Sequence, residues 1–346
     1  MMTSEVKIAG TTIGGKNRIA IQSMLNIPYT DIEENIKQAV MLEQAGCDIN
    51  RVAVPNEQAL KLIPEIKKAT TIPLVADIHF DYSLAIKSVE AGVDKIRFNP
   101  GNIGSDDKAR MVIDCCKQHK VPIRVGVNGG SLDKELLKKY KGITSEAIFE
   151  SAMHHVRLIE EFGYDQIVIS MKSSDVRIMV GAYRLAAASC NYPLHLGVTE
   201  AGTLSFGTVK SAIGIGSLLL DGIGDTIRVS LTGDPVHEIP AAKQILKALG
   251  LIDEVTVISC PTCGRTSIDI ISIAKEVEEK TKHIGKKMTV AVMGCVVNGP
   301  GEAADADLGI AGGNDSAILF MRGKPLRKIT ENYTEEILKE VELWQN

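Results

Sequence analysis

Aromatic residues make up only 4% of this 346-residue chain, with a single tryptophan among them. A core with few large rings must be built from aliphatic side chains. Val, Ile, Leu and Ala supply it within a hydrophobic content of 45%, a composition that suits buried parallel strands. A basic excess is also missing: the formal net charge is -4, which gives no general attraction to nucleic acid or to an anionic membrane surface. No stretch is long and apolar enough to span a bilayer, and the opening MMTSEVKIAGTTIGG lacks the basic segment and apolar run of an export signal. The expected compartment is the cytoplasm. There, seven cysteines, an odd number, argue against a disulfide framework and leave metal binding, redox work or core packing.

What the chain does contain is a repeated alternation. Short β-branched runs recur at RIAIQSM (18–24), INRVAV (49–54), PLVADI (73–78), KIRFNP (95–100), PIRVGV (122–127), QIVISM (166–171), PLHLGV (193–198) and TIRVSL (226–231). Between them, stretches such as TDIEENIKQAVMLEQAGCD and SSDVRIMVGAYRLAAASC space apolar residues three and four apart and begin near Ser, Thr or Asp, as amphipathic helices do. Eight strand-helix units predict an α/β fold, a (β/α)8 TIM barrel, with an open doubly wound sheet as the alternative. The pattern changes near residue 252. A barrel domain over 1–251 and a smaller α/β domain over 252–346 are therefore expected, in keeping with a length well beyond one average domain.

Polar residues recur with period two along these strands, so each set shares one face. Arg51, Asp77 with His79, Arg97 with Asn99, Arg124 with Asn128, Ser170 with Lys172, His195 with Thr199, and Arg228 with Ser230 follow this pattern. If that face is the barrel interior, four arginines and a lysine converge on the C-terminal mouth with only Asp77 and Glu200 to balance them. Unpaired buried cations are costly, and an anionic ligand resolves the imbalance. Arginine's planar fork takes two phosphate oxygens at once, so the expected ligand carries more than one phosphate. The plain alternative is that these are solvated strand ends paired with helix carboxylates. The Gly-rich junctions FNPGNIG (98–104) and GVNGGSL (126–132) could bring backbone N–H groups to a phosphate, but neither matches a dinucleotide or P-loop fingerprint.

In the C-terminal part, Cys260 and Cys263 stand as C-x-x-C after a strand-like run, and Cys295 follows the next one in MGCVVNGPGEA. Three thiols in strand-end loops can share one metal centre, and no fourth cysteine or histidine suited to a structural zinc follows Cys295. Glu302 in the same Gly-rich loop is the best-placed fourth ligand. A Cys3Glu set is unusual for structural zinc and suits a 4Fe-4S cluster with one exchangeable ligand. A thioredoxin-like thiol pair and a plain zinc knuckle are the alternatives. Cys47, Cys115, Cys116 and Cys190 fall on helix-like stretches and read as packing or surface thiols.

Taken together, IQSM, VADIHF, KIRFNPGNIG, IRVGVNGGSL, HLGVTEAG, GIGDTIRVSLTGDP, SCPTCGR and GCVVNGPGEA span nearly the whole chain and resemble the bacterial two-domain form of the 4-hydroxy-3-methylbut-2-enyl diphosphate synthase family. The resemblance implies an iron-sulfur oxidoreductase of non-mevalonate isoprenoid biosynthesis. It would open 2-C-methyl-D-erythritol 2,4-cyclodiphosphate reductively with loss of water, taking single electrons from flavodoxin or ferredoxin. It further implies Cys260, Cys263, Cys295 and Glu302 as cluster ligands and Arg51, Arg97, Arg124, Lys172 and Arg228 as a diphosphate clamp. Asp77, His79, Asn99 and Asn128 would line the pocket, Glu200 would donate a proton, and Asn298 would lie beside the cluster. The assembly it implies is a head-to-tail homodimer. Leu25 and Ile27 depart from the small polar residues expected after Met24.

Overall fold

The computed structural model describes residues 2–295, 301, 303–313 and 315–344. They form two compact units, 1–249 and 250–346.

In the first unit a short antiparallel hairpin, β1 (Val6–Ile8) and β2 (Thr11–Ile13), precedes the repeat. Eight parallel strands then follow at each of the expected positions: β3 (Ala20–Ile21), β4 (Asn50–Ala53), β5 (Leu74–Asp77), β6 (Lys95–Arg97), β7 (Ile123–Asn128), β8 (Ile167–Lys172), β9 (His195–Leu196) and β10 (Thr226–Ile227). Strands β4 to β8 form one sheet in chain order, and β9, β10 and β3 form another. Parallel bridges between Gln22 and Ile49 and between Ile169 and Leu194 join the two, which closes the circle of eight. The sheet is the expected TIM barrel.

The helices are α1 (Ile32–Ala45), α2 (Leu62–Ala69), α3 (Tyr82–Glu90), α4 (Asp106–His119), a short α5 (Lys134–Lys139), α6 (Ser145–Glu161), α7 (Val176–Ser189), α8 (Leu204–Leu220) and α9 (Glu238–Ala248). The small polar residues before them act as caps. Asp31, Asp81, Ser105, Asp133, Thr144 and Asp175 each accept a backbone N–H from the first turn that follows. Each such bond satisfies a donor with no partner inside the helix and contributes about 1 kcal/mol. The N-terminal hairpin has a specific use: fully buried Val6, Ile8 and Ile13 cluster with Ala20, Ile49, Val75 and Val168 from the starts of four barrel strands. This apolar plug forms the barrel floor, leaving the C-terminal ends of the strands as the open mouth.

The second unit is a five-stranded sheet in chain order, β11 (Val255–Ser259), β12 (Met288–Met293), β13 (Leu308–Gly313), β14 (Ser316–Met321) and β15 (Lys324–Ile329). The first three strands are parallel and the last three antiparallel. Helices α10 (Ile270–Thr281) and α11 (Tyr333–Leu343) cover one face, where Ile273, Val277 and Ile337 pack on Val290, Val292, Ile310 and Leu319. Ala291, Met293, Ala311 and Phe320 point to the other face, as strand alternation requires. The outer strand β15 is exposed along most of its length, and its Lys324, Arg327 and Lys328 blunt the open edge.

Candidate active site

Inward-facing side chains from β4, β6, β7 and β8, and from the segments that follow β9 and β10, meet at the barrel mouth around a cavity of about 100 Å³. Its walls carry Arg51, Arg97, Arg124, Arg228 and Lys172, interleaved with Asn128, Ser170, Thr199, Ser230 and the backbone of Gly126. The period-two pattern is the cause: residues two apart on a strand share a face, and inside a closed barrel that face has nowhere else to point.

Asp77, almost fully buried, is the hub on one side. It accepts from Arg51 Nη2 at 2.6 Å, lies 3.4 Å from Arg97 Nη1 and 3.4 Å from Nε2 of the half-exposed His79. Burial alone would raise its carboxyl, but Arg51, the His79 hydrogen bond and Arg97 outweigh burial and hold it well below the usual carboxylate range. Arg97 is further fixed by donating from Nη2 to Gly126 O at 2.5 Å. Asn99 stands behind the wall rather than on it. Its side chain accepts from Gly126 N at 2.9 Å and donates to Gly126 O at 3.0 Å, so its amide is engaged in tying β6 to β7.

On the other side Arg228 donates to Glu238 from Nε and Nη2, each at 3.2 Å. Glu238 is buried and also accepts from Ser23 Oγ at 2.7 Å and Leu231 N at 3.2 Å. The charge balance drawn from sequence needs correcting here. Glu238, which follows β10 in GDPVHEIP, is the second internal carboxylate, whereas Glu200 is exposed, with a left-handed φ of 52° in the loop after β9. An acidic residue opening the helix after a cation-bearing strand was the available signal for Glu238.

Among the described residues the remaining cations have no such counterion. Arg124 is buried with Nε and Nη1 unpartnered, and burial followed by repulsion from Arg51 and Arg97 pushes its pKa well down. Burial, then Arg228 and Arg124, does the same to Lys172. Five cations against two carboxylates is an arrangement made for an anion. The FNPGNIG junction does not aim all its amides at the mouth, since Gly101 N donates to His155 Nδ1 at 3.2 Å. Burial first, then His154 and Arg97, lowers His155 to about 4, so its ring is neutral and can accept. Of the divergent loop, Leu25 is buried, and Asn26 N donates to Gln38 Oε1 at 2.9 Å.

In the second unit Cys260 immediately follows β11, and Cys295 lies two residues beyond β12, its parallel neighbour. The two loops are stitched together. Gly294 N donates to Cys260 Sγ at 3.3 Å, and Gly294 O accepts from Ser267 N at 2.9 Å and Ser267 Oγ at 3.1 Å. Cys263 is exposed, and the Arg265 backbone N–H, with help from Thr266 and the Arg265 side chain, outweighs burial and draws its thiol below the ordinary value. Three thiols at one end of a sheet, one already accepting an N–H···S bond, fit an iron-sulfur cluster, whose sulfurs take such bonds. Among the described residues no three metal-ligating side chains yet converge on one point. Asn298 and Glu302 lie outside the described residues.

Residues 3–243 match the GcpE TIM-barrel domain, and residues 256–343 match the GcpE protein C-terminal domain. A 4-hydroxy-3-methylbut-2-en-1-yl diphosphate synthase (flavodoxin) of Caldanaerobacter subterraneus subsp. tengcongensis is 59% identical over 99% of this chain and 97% of its own length. The enzyme of that name from Clostridium perfringens is 56% identical over 98% of each. The chain belongs to this synthase family. Among solved structures, dihydropteroate synthases of Yersinia pestis and Xanthomonas albilineans align with 71% of this chain and nearly all of their own, both at a TM-score of 0.51, with 12% and 16% identity. They share the barrel fold alone. The synthase family accounts for both units, including the thiol-bearing one.

Proposed function

We propose that the barrel mouth binds 2-C-methyl-D-erythritol 2,4-cyclodiphosphate and that the protein converts it to 4-hydroxy-3-methylbut-2-enyl diphosphate in non-mevalonate isoprenoid biosynthesis. The overall change consumes two electrons and two protons and releases water. The observation that carries the ligand class is the excess of Arg51, Arg97, Arg124, Lys172 and Arg228 over Asp77 and Glu238 in one cavity.

Arg124 and Lys172, with no carboxylate attached, are the natural first partners of the diphosphate oxygens. Arg51, Arg97 and Arg228 keep fixed orientations through their carboxylates, so they meet the ligand without reorganising. Asn128, Ser170, Thr199 and Ser230 offer neutral hydrogen bonds between the charges. Asp77 positions two arginines, and Asn99 and Gly126 hold the strand pair behind them. Glu200, on the solvent side of the β9 loop, holds the proton for the departing oxygen in this reading. Cys260, Cys263 and Cys295, with Glu302 as fourth ligand, would hold a 4Fe-4S cluster. When bound, such a cluster supplies electrons one at a time, and flavodoxin, which forms part of the relatives' enzyme name, is the proposed donor. Asn298 would lie beside it.

A head-to-tail homodimer in the cytoplasm completes the proposal. No helix among the described residues is long and apolar enough to cross a membrane. Anaerobic iron and sulfide analysis tests the cofactor: about four of each per chain, with a broad visible absorption that dithionite bleaches, is expected. One zinc without sulfide after anaerobic reconstitution would point instead to a phosphate-binding barrel with a structural zinc.

A further inference from the structure

One buried cation has no part in the clamp. Lys95 begins β6 two residues before Arg97, so it shares the inward face and lies about 7 Å deeper. Register sets it beside Val75, a member of the apolar floor. It is fully buried, and its Nζ has no hydrogen-bond partner among the described residues.

Around it the barrel interior holds other polar atoms in the same condition. Both amide atoms of Gln22, Nε2 of His195, Nε of Arg51, and Nε and Nη1 of Arg124 are buried without partners among the described residues. The charged and titratable groups facing this layer are Arg51 from β4, Asp77 from β5, Arg124 from β7, Lys172 from β8 and His195 from β9. Arg97 adds a cation from Lys95's own strand. The two carboxylates of the interior, Asp77 and Glu238, are both held by arginines. An ammonium here would be shut off from bulk solvent, would have no carboxylate partner among the described residues and would face several positive charges, so the ligand-free barrel favours the neutral amine. Burial, then Arg124 and Arg51, pushes its pKa well down in agreement.

We propose that the Lys95 amine takes up one proton from solvent when a diphosphate enters the mouth, making substrate binding proton-linked. This rests on the reading of the mouth as a diphosphate site. Each negative charge arriving above Arg97 favours a positive charge one layer below, and low internal dielectric preserves the attraction over that distance. The sign follows from linkage: a group that gains a proton on binding makes binding tighter as pH falls. The effect vanishes above the pKa of the bound state, where the amine is neutral in both forms. Lys95 is a positioning residue in this account, setting the charge of the layer beneath Arg124 without touching the ligand.

Titration calorimetry of the full chain with inorganic diphosphate at pH 8.5, in three buffers of different ionisation enthalpy, reads the proton count directly. After subtraction of the ligand's own exchange, the wild type should take up one proton on Lys95 in addition to whatever the rest of the mouth exchanges. Lys95→Met should take up about one fewer, and its affinity should fall up to tenfold less per pH unit over the same range. Lys172→Met should keep the Lys95 proton. Lys95→Met is near-isosteric and removes a buried charge site, so it should melt no lower than the wild type, with Lys95→Leu as a second choice. Equal uptake by wild type and Lys95→Met overturns the proposal, as does a wild type that takes up none, whatever the variants do. Absence of diphosphate binding to the wild type would overturn the site reading itself.

Discussion

Asp77→Asn separates the two demands placed on the mouth, stability of the empty protein and affinity for an anion. The carboxylate is 2% exposed and joins Arg51 and Arg97, whose side chains are 12% and 8% exposed. Its replacement keeps the shape but leaves two largely buried guanidinium groups without a counterion. Removing one partner of a buried pair costs roughly 3–5 kcal/mol, and the low end applies where a cavity lets water reach the arginines. About 3 kcal/mol corresponds to a fall in Tm of roughly 6–12 °C for a unit of this size. Inorganic diphosphate should then recover much of the loss, because an anion supplies the missing charge. Its stabilising shift should be larger in Asp77→Asn than in the wild type. The pH dependence carries a sign of its own. A carboxyl held below its unfolded value stabilises the fold above about pH 4 and loses that contribution as pH falls through its folded pKa. The Tm difference between the two proteins should therefore be constant from neutral pH down to about pH 5 and shrink below about pH 4. Differential scanning fluorimetry with and without diphosphate measures all of this. Equal melting temperatures, or an equal diphosphate shift in both proteins, would refute the charge argument.

Other predictions follow the same geometry. Arg124→Lys keeps the charge but loses the planar fork, and kcat/KM should fall about thirtyfold, equivalent to about 2 kcal/mol; near-normal turnover would count against a bidentate role. Gly126→Ala places a Cβ 2.6 Å from Arg97 Nε, so the guanidinium must move; steady-state kinetics should show a raised KM, and an unchanged one would mean that Arg97 is free to shift. Glu302→Ala should leave a protein that binds iron yet turns over poorly and degrades more readily to a three-iron cluster, visible by electron paramagnetic resonance. An unchanged cluster spectrum would remove Glu302 from the ligand set.

Periodicity made much of this molecule legible before its fold was known. Eight β-branched runs became eight barrel strands because a buried parallel strand needs no other signature than its length and its breakers. The polar residues at alternate positions converged because closure leaves one interior for every strand to share. The hairpin that plugs the floor was harder to see: VKI and TTI are three-residue strands whose only mark is the apolar character of Val6, Ile8 and Ile13. Glu238 escaped because it reaches the site from the first turn of a helix rather than from a strand. Lys95 obeyed the same period as Arg97, yet only its complete burial and its absence from the cavity walls show that it sits below the mouth rather than in it. Asn99 illustrates the reverse case, a residue on the predicted face whose amide turned out to serve backbone rather than ligand.

Turnover decides whether the barrel and the thiol-bearing unit together make this synthase. Purified protein with an anaerobically reconstituted cluster, reduced flavodoxin and 2-C-methyl-D-erythritol 2,4-cyclodiphosphate should yield 4-hydroxy-3-methylbut-2-enyl diphosphate, detected by mass spectrometry. Product should be lost in Arg124→Ala and in Cys263→Ala. Recovery of unchanged cyclodiphosphate from a protein shown to hold its cluster and to bind the ligand would contradict the assignment.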